Sequence, residues 1–237
     1  LEHSPVFSAT MHENNGKNGV FNLSSFSSRT LAETDISAVR AIYGTVVENE
    51  NCCGVVTGKL TSSNPKNSKN YLVWAEESET GRIAAEVSTN AEGVFRLEGL
   101  QEGTYRIFGQ NSETGKGNIA AEEISQVEII GGKVLTLARK MENVLIKSDI
   151  RYVGLNGQLS ELAVPLNAGK SYMVYIGGKN LDAKKIKIAF NTPYLKVTPK
   201  SLMTHDYGDD ISVLSFEIKV NAKISAGEYS ILVESEN

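Results

Sequence analysis

Three histidines, two cysteines and a few clustered carboxylates are the side chains here that could hold a metal or move a proton. One imidazole lies near the start, in Leu1-Glu2-His3-Ser4, with Met11 eight positions later and His12 beside it. Taken singly, a terminal histidine is an exposed side chain, and His12 reads as an exposed loop residue. Cys52 and Cys53 are adjacent. Neighbouring cysteines bridge each other only through a strained ring, because the preferred Cα separation of a disulfide exceeds theirs. In an exported protein one or both either pair with cysteines in the part expected upstream of Leu1 or stay as thiols. With no second Cys or His pair at zinc-site spacing, they hold no metal by themselves. His205, Asp206, Asp209 and Asp210 surround Tyr207-Gly208. Their oxygens suit a hard cation such as calcium, but the spacing matches no EF-hand, and a solvated hairpin is the commoner use of such a run. No phosphate loop, serine nucleophile elbow or thioredoxin-type cysteine pair occurs.

The elements that must position these groups fall into stretches of different texture. The 237 residues carry 24 basic and 28 acidic side chains, a net charge of -4. That balance argues against nucleic acid or an anionic membrane surface as the main partner. No apolar run reaches the roughly 18 residues of a membrane span. Residue 1 is Leu, with no signal peptide or initiator Met, so the expectation is a C-terminal piece of a longer protein.

Residues 1–44 are loop-like and end in one helical pattern, Leu31–Tyr43. Thr30-Leu31-Ala32-Glu33 has capping-box spacing, and Gly44 stands where a left-handed cap would sit. Ile36, Val39, Ile42 and Tyr43 share one face. At about three turns such a helix is marginal alone, so its apolar face must dock on structure, expected upstream of Leu1. Residues 45–53 read as a linker. Residues 54–141 show short alternating runs, among them Tyr71–Glu76 and Arg82–Ser88, separated by turns such as Glu79-Thr80-Gly81 and Asn90-Ala91-Glu92-Gly93. Residues 142–237 repeat that grammar, with Gly177-Gly178 and Ala226-Gly227 expected at turns. The aromatics, Tyr71, Trp74, Phe95 and Tyr105 among them, sit on alternating positions where core packing is the default.

His3-Ser4, Met11 and the helix carrying Leu31, Asp35, Ile36, Val39, Ile42, Tyr43 and Gly44 together resemble the end of a matrixin-type catalytic domain, from the metzincin zinc proteases. The resemblance implies His3 as the third zinc ligand, Met11 as the Met-turn residue beneath the metal, and Asp35 as the second acid of the closing helix, with Thr34 replacing the first. Zinc on three imidazoles keeps a position open for water and lowers that water's pKa toward about 7. The HExxH ligands and the general-base Glu would lie upstream of residue 1, so the chain as given contains no catalytic residue of its own. His12-Glu13-Asn14 replaces the family's usual continuation after the Met.

Val94-Phe95-Arg96-Leu97-Glu98-Gly99-Leu100, followed by Gly103-Thr104-Tyr105-Arg106-Ile107, resembles the carboxypeptidase regulatory-like family, a transthyretin-type sandwich. Ile176-Gly177-Gly178-Lys179-Asn180-Leu181 and Ala226-Gly227-Glu228-Tyr229 are similar to the IPT/TIG immunoglobulin-like family. The expected fold is therefore mainly β: two tandem sandwiches, 54–141 and 142–237, preceded by a fragment (1–44) of an α/β metalloprotease domain ending in one helix. The expected function is the C-terminal portion of a secreted zinc metalloendopeptidase, with Zn2+ as cofactor and protein or peptide as substrate. The β-domains would tether it to a cell surface or matrix. The rival reading is a non-enzymatic extracellular adhesion or surface-display protein with a relic protease segment.

Overall fold

The computed structural model describes residues 33–43, 53–62, 70–111, 118–160, 163–207 and 211–235. One helix, α1 (Glu33–Tyr43), precedes the strands. The first group comprises β1 (Gly54–Ser62), β2 (Tyr71–Glu77), β3 (Arg82–Ser88), β4 (Val94–Leu100), β5 (Gly103–Asn111), β6 (Asn118–Ile119), β7 (Glu122–Ile129) and β8 (Val134–Met141). The second comprises β9 (Leu145–Ile146), β10 (Asp149–Leu155), β11 (Gln158–Ser160), β12 (Ser171–Lys179), β13 (Ile186–Phe190), β14 (Leu195–Val197), β15 (Met203–Asp206), β16 (Ser212–Val220), β17 (Glu228–Tyr229) and β18 (Ile231–Ser235).

Period-two alternation builds the first core. On β2, Tyr71, Val73 and Ala75 are fully buried while Leu72 and Trp74 between them are half-buried. They face Val56 and Leu60 of β1 and Phe95 and Leu97 of β4, so the sheet β4-β1-β8 packs on the sheet β17-β3-β2-β5-β7. β1 and β8 pair in parallel, from Val55↔Val134 to Ser62↔Met141. A second cluster forms around Val174 and Ile176 of β12 and Leu214, Phe216 and Ile218 of β16. Here the sheet runs β11-β10-β12-β16-β14, with β15 also on β16, and the pair β13-β18 contributes Ile186 and Ile188 to the core.

A shared local device closes strands in both groups. Gly103 (φ 150) precedes Tyr105, whose hydroxyl donates to the Gln101 carbonyl at 3.0 Å. Gly227 (φ 148) precedes Tyr229, whose hydroxyl donates to the Ser225 carbonyl at 2.9 Å. In each Gly-x-Tyr segment the phenol thus ties its strand to backbone four residues upstream, as in a tyrosine corner.

Two sequence expectations are corrected. The helix docks within the chain: α1 packs against β3 and β4. It does so through buried Asp35 and Ser37, while Val39 (45% exposed), Ile42 (62%) and Tyr43 (73%) face outward. The reason is Gly99 (φ +69), where a Cβ would collide with the Ser37 carbonyl; the bare backbone lets the small polar side of the helix come closest. Of the expected metalloprotease fragment, α1 is the described part, and it covers the rim where the two sheets of the first core meet. Gly177-Gly178 is not a turn but lies inside β12, opposite the bulge at Ile150/Tyr152; a Cβ on Gly178 would overlap the Asp149 carbonyl. The segment Glu142–Asp149 that follows β8 is itself hydrogen-bonded into the fold. β9 pairs with β6, the Glu122 carboxylate accepts the backbone amides of Glu142 and Asn143, and the Asn180 side-chain amide donates to the Lys147 carbonyl.

Candidate functional site

The described residue whose chemistry and position stand out most is Glu76. Alternation along β2 turns Leu72, Trp74 and Glu76 away from the first core, and an outward glutamate belongs in water. Glu76 is instead 1% exposed. A register shift between Ala75 and Glu76 in the β2–β3 pairing sets the turn of the chain there, and the second group of strands covers the face.

The carboxylate is held by donors from both groups. Ser230 Oγ donates to Oε1 at 2.6 Å, Trp74 Nε1 donates to the same oxygen at 2.9 Å, and Asn191 Nδ2 donates to Oε2 at 2.7 Å. Such charge-assisted bonds are short and stronger than neutral ones, and they are what makes a buried anion tolerable. Trp74 stacks on Phe108, with centroids 5.4 Å apart, and the Arg106 guanidinium lies 4.9 Å over the Phe108 ring. A hydrogen bond from Arg106 to Glu123, against a desolvation penalty and helped by the charges of Glu123 and Glu76, raises the Arg106 pKa above its ordinary value.

Beside this cluster the backbone itself crosses between groups. β17 extends the first sheet by pairing with β3, Glu228 opposite Ile83 and Tyr229 opposite Arg82. The hairpin leading into β3 is braced by Arg82 and Thr80 bonding to Glu77. Burial works against the Glu77 carboxylate, but those hydrogen bonds and the neighbouring guanidinium outweigh it and hold its carboxyl below the usual carboxylate range. Chemically the arrangement grips: both Glu76 oxygens already accept hydrogen bonds from neighbouring side chains. Sequence reasoning did not single out Glu76. Nothing local marks it, since Glu76-Glu77 reads as two solvated charges at a strand end.

The residues that sequence reasoning did single out are not brought together. His3 and Met11 lie outside the described residues. Asp35 is buried (5% exposed) in α1 against the first β group. Among the described residues no group of three or more His, Cys, Asp or Glu side chains could hold a metal ion. Cys53 is disulfide-bonded. His205 sits on β15, its Nε2 2.7 Å from the Oγ of buried Ser215, and residues 208–210 of the acidic run lie outside the described residues.

No family model and no curated protein matches this chain. Among solved structures it is similar to the major pilin subunit BcpA of Bacillus cereus, at 15% identity over 78% of this chain and 68% of that one, with a TM-score of 0.27. It is similar also to the major pilin SpaD of Corynebacterium diphtheriae, at 11% identity over 81% of this chain and 66% of that one, with a TM-score of 0.25. A third is the pilus protein RrgB of Streptococcus pneumoniae, at 12% identity over 73% of this chain and 46% of that one, with a TM-score of 0.28. These neighbours are pilins, not metalloproteases. The protease expectation is corrected accordingly.

With it go the matrixin resemblance as an assignment, the metalloendopeptidase activity and the zinc cofactor. The physical reason the resemblance misled is that its carrying residues are few. The helix that carries most of them sits on β3 and β4 through Asp35 and Ser37, with Ile42 and Tyr43 of the pattern exposed. No helix among the described residues is long and apolar enough to cross a membrane.

Proposed function

We propose that this chain is a non-enzymatic extracellular adhesion or surface-display protein, in which two β-sandwich modules act as a stiff spacer presenting what they are joined to. The modules are 54–141, of transthyretin type and carboxypeptidase regulatory-like, and 142–237, of IPT/TIG-like immunoglobulin type. Their contacts are with other proteins at a cell surface or matrix.

The observation that carries this reading is the Glu76 junction. Inter-domain contacts within a chain are commonly loose, so relative motion is the default. Here a buried anion is bonded to Asn191 and Ser230 across the interface, a strand crosses to join the neighbouring sheet, and the connecting segment is itself hydrogen-bonded. Hinging the two modules would strand the Glu76 charge without partners, a penalty that holds the angle between them. An enzyme positions reactive groups at an opening; this site uses its charged group to lock two bodies.

The test is a distance measurement between spin labels at exposed Lys140 and Lys219. A single narrow distribution is expected for a stiff spacer, and a broad one defeats the reading. In parallel, the chain should leave casein intact with zinc added; hydrolysis dependent on the chain would defeat the non-enzymatic half.

A further inference from the structure

The two layers of the second module are unequal: a sheet of six strands lies opposite a pair, β13 and β18. Two strands do not span the inner face of six. Where the pair stops short, a cavity of about 970 Å³ opens, with Val153, Leu195, Ile218 and Val220 of the larger sheet on its floor. Phe190 of β13 and Ile231 of β18 form one side. Leu72 and Ile83, on the outer face of the first module, form another. The volume is at the upper end of the about 300–1,000 Å³ usual for small-molecule sites, which favour such positions between domains.

Polarity changes from floor to mouth. Leu195, Ile218 and Val220 belong to the second core and are buried, whereas Ser88, Asn167 and Ser225 on the same lining are exposed and neutral. Glu86 and Glu228 also line the space, but each is already engaged within the protein, and the Arg82 side chain lies against Gly227 beside Glu228. An ion entering here would shed water and meet carboxylates that already have partners. Hydrocarbon gains from so apolar a floor, and water does not. We infer that the cavity binds an uncharged aliphatic molecule with a hydroxyl or similar neutral polar end. Its chain lies on the floor of the second core, and its polar end stands at the mouth with Ser88, Asn167 and Ser225.

Calorimetry on the full chain tests this with 1-octanol, 1-hexanol, octylamine and octanoate, each below its solubility or aggregation limit. 1-Octanol should bind saturably at one per chain, with a negative heat-capacity change. It should bind about tenfold or more tighter than 1-hexanol, since two buried methylenes separate them. Octylamine (as the ammonium ion) and octanoate should each bind about tenfold or more weakly than the alcohol, because either charge must lose water. Val164→Trp, on the lining, and Ala163→Trp, at an exposed position beside it, should each weaken 1-octanol about tenfold by occupying apolar space. The exposed substitution keeps the test decisive should the first variant not fold. Absence of saturable 1-octanol binding, an ion of either sign matching the alcohol, equal binding of the two alcohols, or affinity untouched by both tryptophans overturns the proposal.

Discussion

Replacing Glu76 by Ala tests whether one buried carboxylate joins the two modules. The change removes the acceptor of bonds from Trp74 Nε1, Asn191 Nδ2 and Ser230 Oγ. Ser230 can rotate its hydroxyl elsewhere, but the indole and the amide are fixed by their surroundings. Two stranded donors at about 1–3 kcal/mol each amount to roughly 2–6 kcal/mol. Relief from keeping an anion out of water offsets part of this, so the expected loss is about 3 kcal/mol. For a chain of this size that corresponds to a fall of about 6–12 °C in the melting midpoint. Because each core stays intact, differential scanning calorimetry should also show one transition dividing into two. Glu76→Gln retains one acceptor oxygen and turns an amide toward another donor, so it should fall between the two. A Glu76→Ala/Asn191→Ala cycle should return a coupling energy of about 1 kcal/mol or more. A single transition within about 1 °C of the parent, less than 0.5 kcal/mol of loss at this size, would refute the argument that this charge couples the modules.

Other perturbations probe the parts around it. Gly99→Ala, at φ +69 and against the Ser37 carbonyl, should lift α1 from β4 at a cost of at least about 1–2 kcal/mol, read as faster amide exchange through residues 35–43 with the β strands unchanged. Glu77 should make stability acid-sensitive. Its carboxyl is lowered in the folded state, so its contribution is complete above the unfolded pKa and disappears as pH falls through the folded one. Urea midpoints between about pH 2 and 6 should therefore climb less steeply with pH in Glu77→Gln than in the parent, and equal slopes would count against the Arg82 and Thr80 bracing. Tyr71→Phe removes a 2.8 Å hydroxyl bond to Asn143 Oδ1 while keeping the buried ring, so denaturant titration should show a loss of about 1 kcal/mol.

Much of the strand content was legible because alternation is a local property. Arg82–Ser88 has the same bounds in sequence and structure, and Tyr71, Val73 and Ala75 turn inward as their spacing requires. Asp149–Leu155 was not legible: it carries Asp and Arg, and half-exposed positions blur its period, yet it pairs along β12 as β10. The two glycines of β12 looked like a turn, since nothing in their neighbours announces the Asp149 backbone that needs their bareness. The apolar stripe on α1 predicted a docked face, and that face is the exposed one.

The amino-acid sequence by itself determined which side chains of β2 alternate inward and that the chain is mainly β. The tertiary structure alone decided the parallel joining of β1 to β8, the seat of α1 on β3 and β4, and the burial of Glu76 beneath Asn191 and Ser230. Periodicity records how a residue is turned relative to its own strand, whereas the partner covering an outward face comes from more than a hundred positions away and leaves no mark in the neighbouring residues.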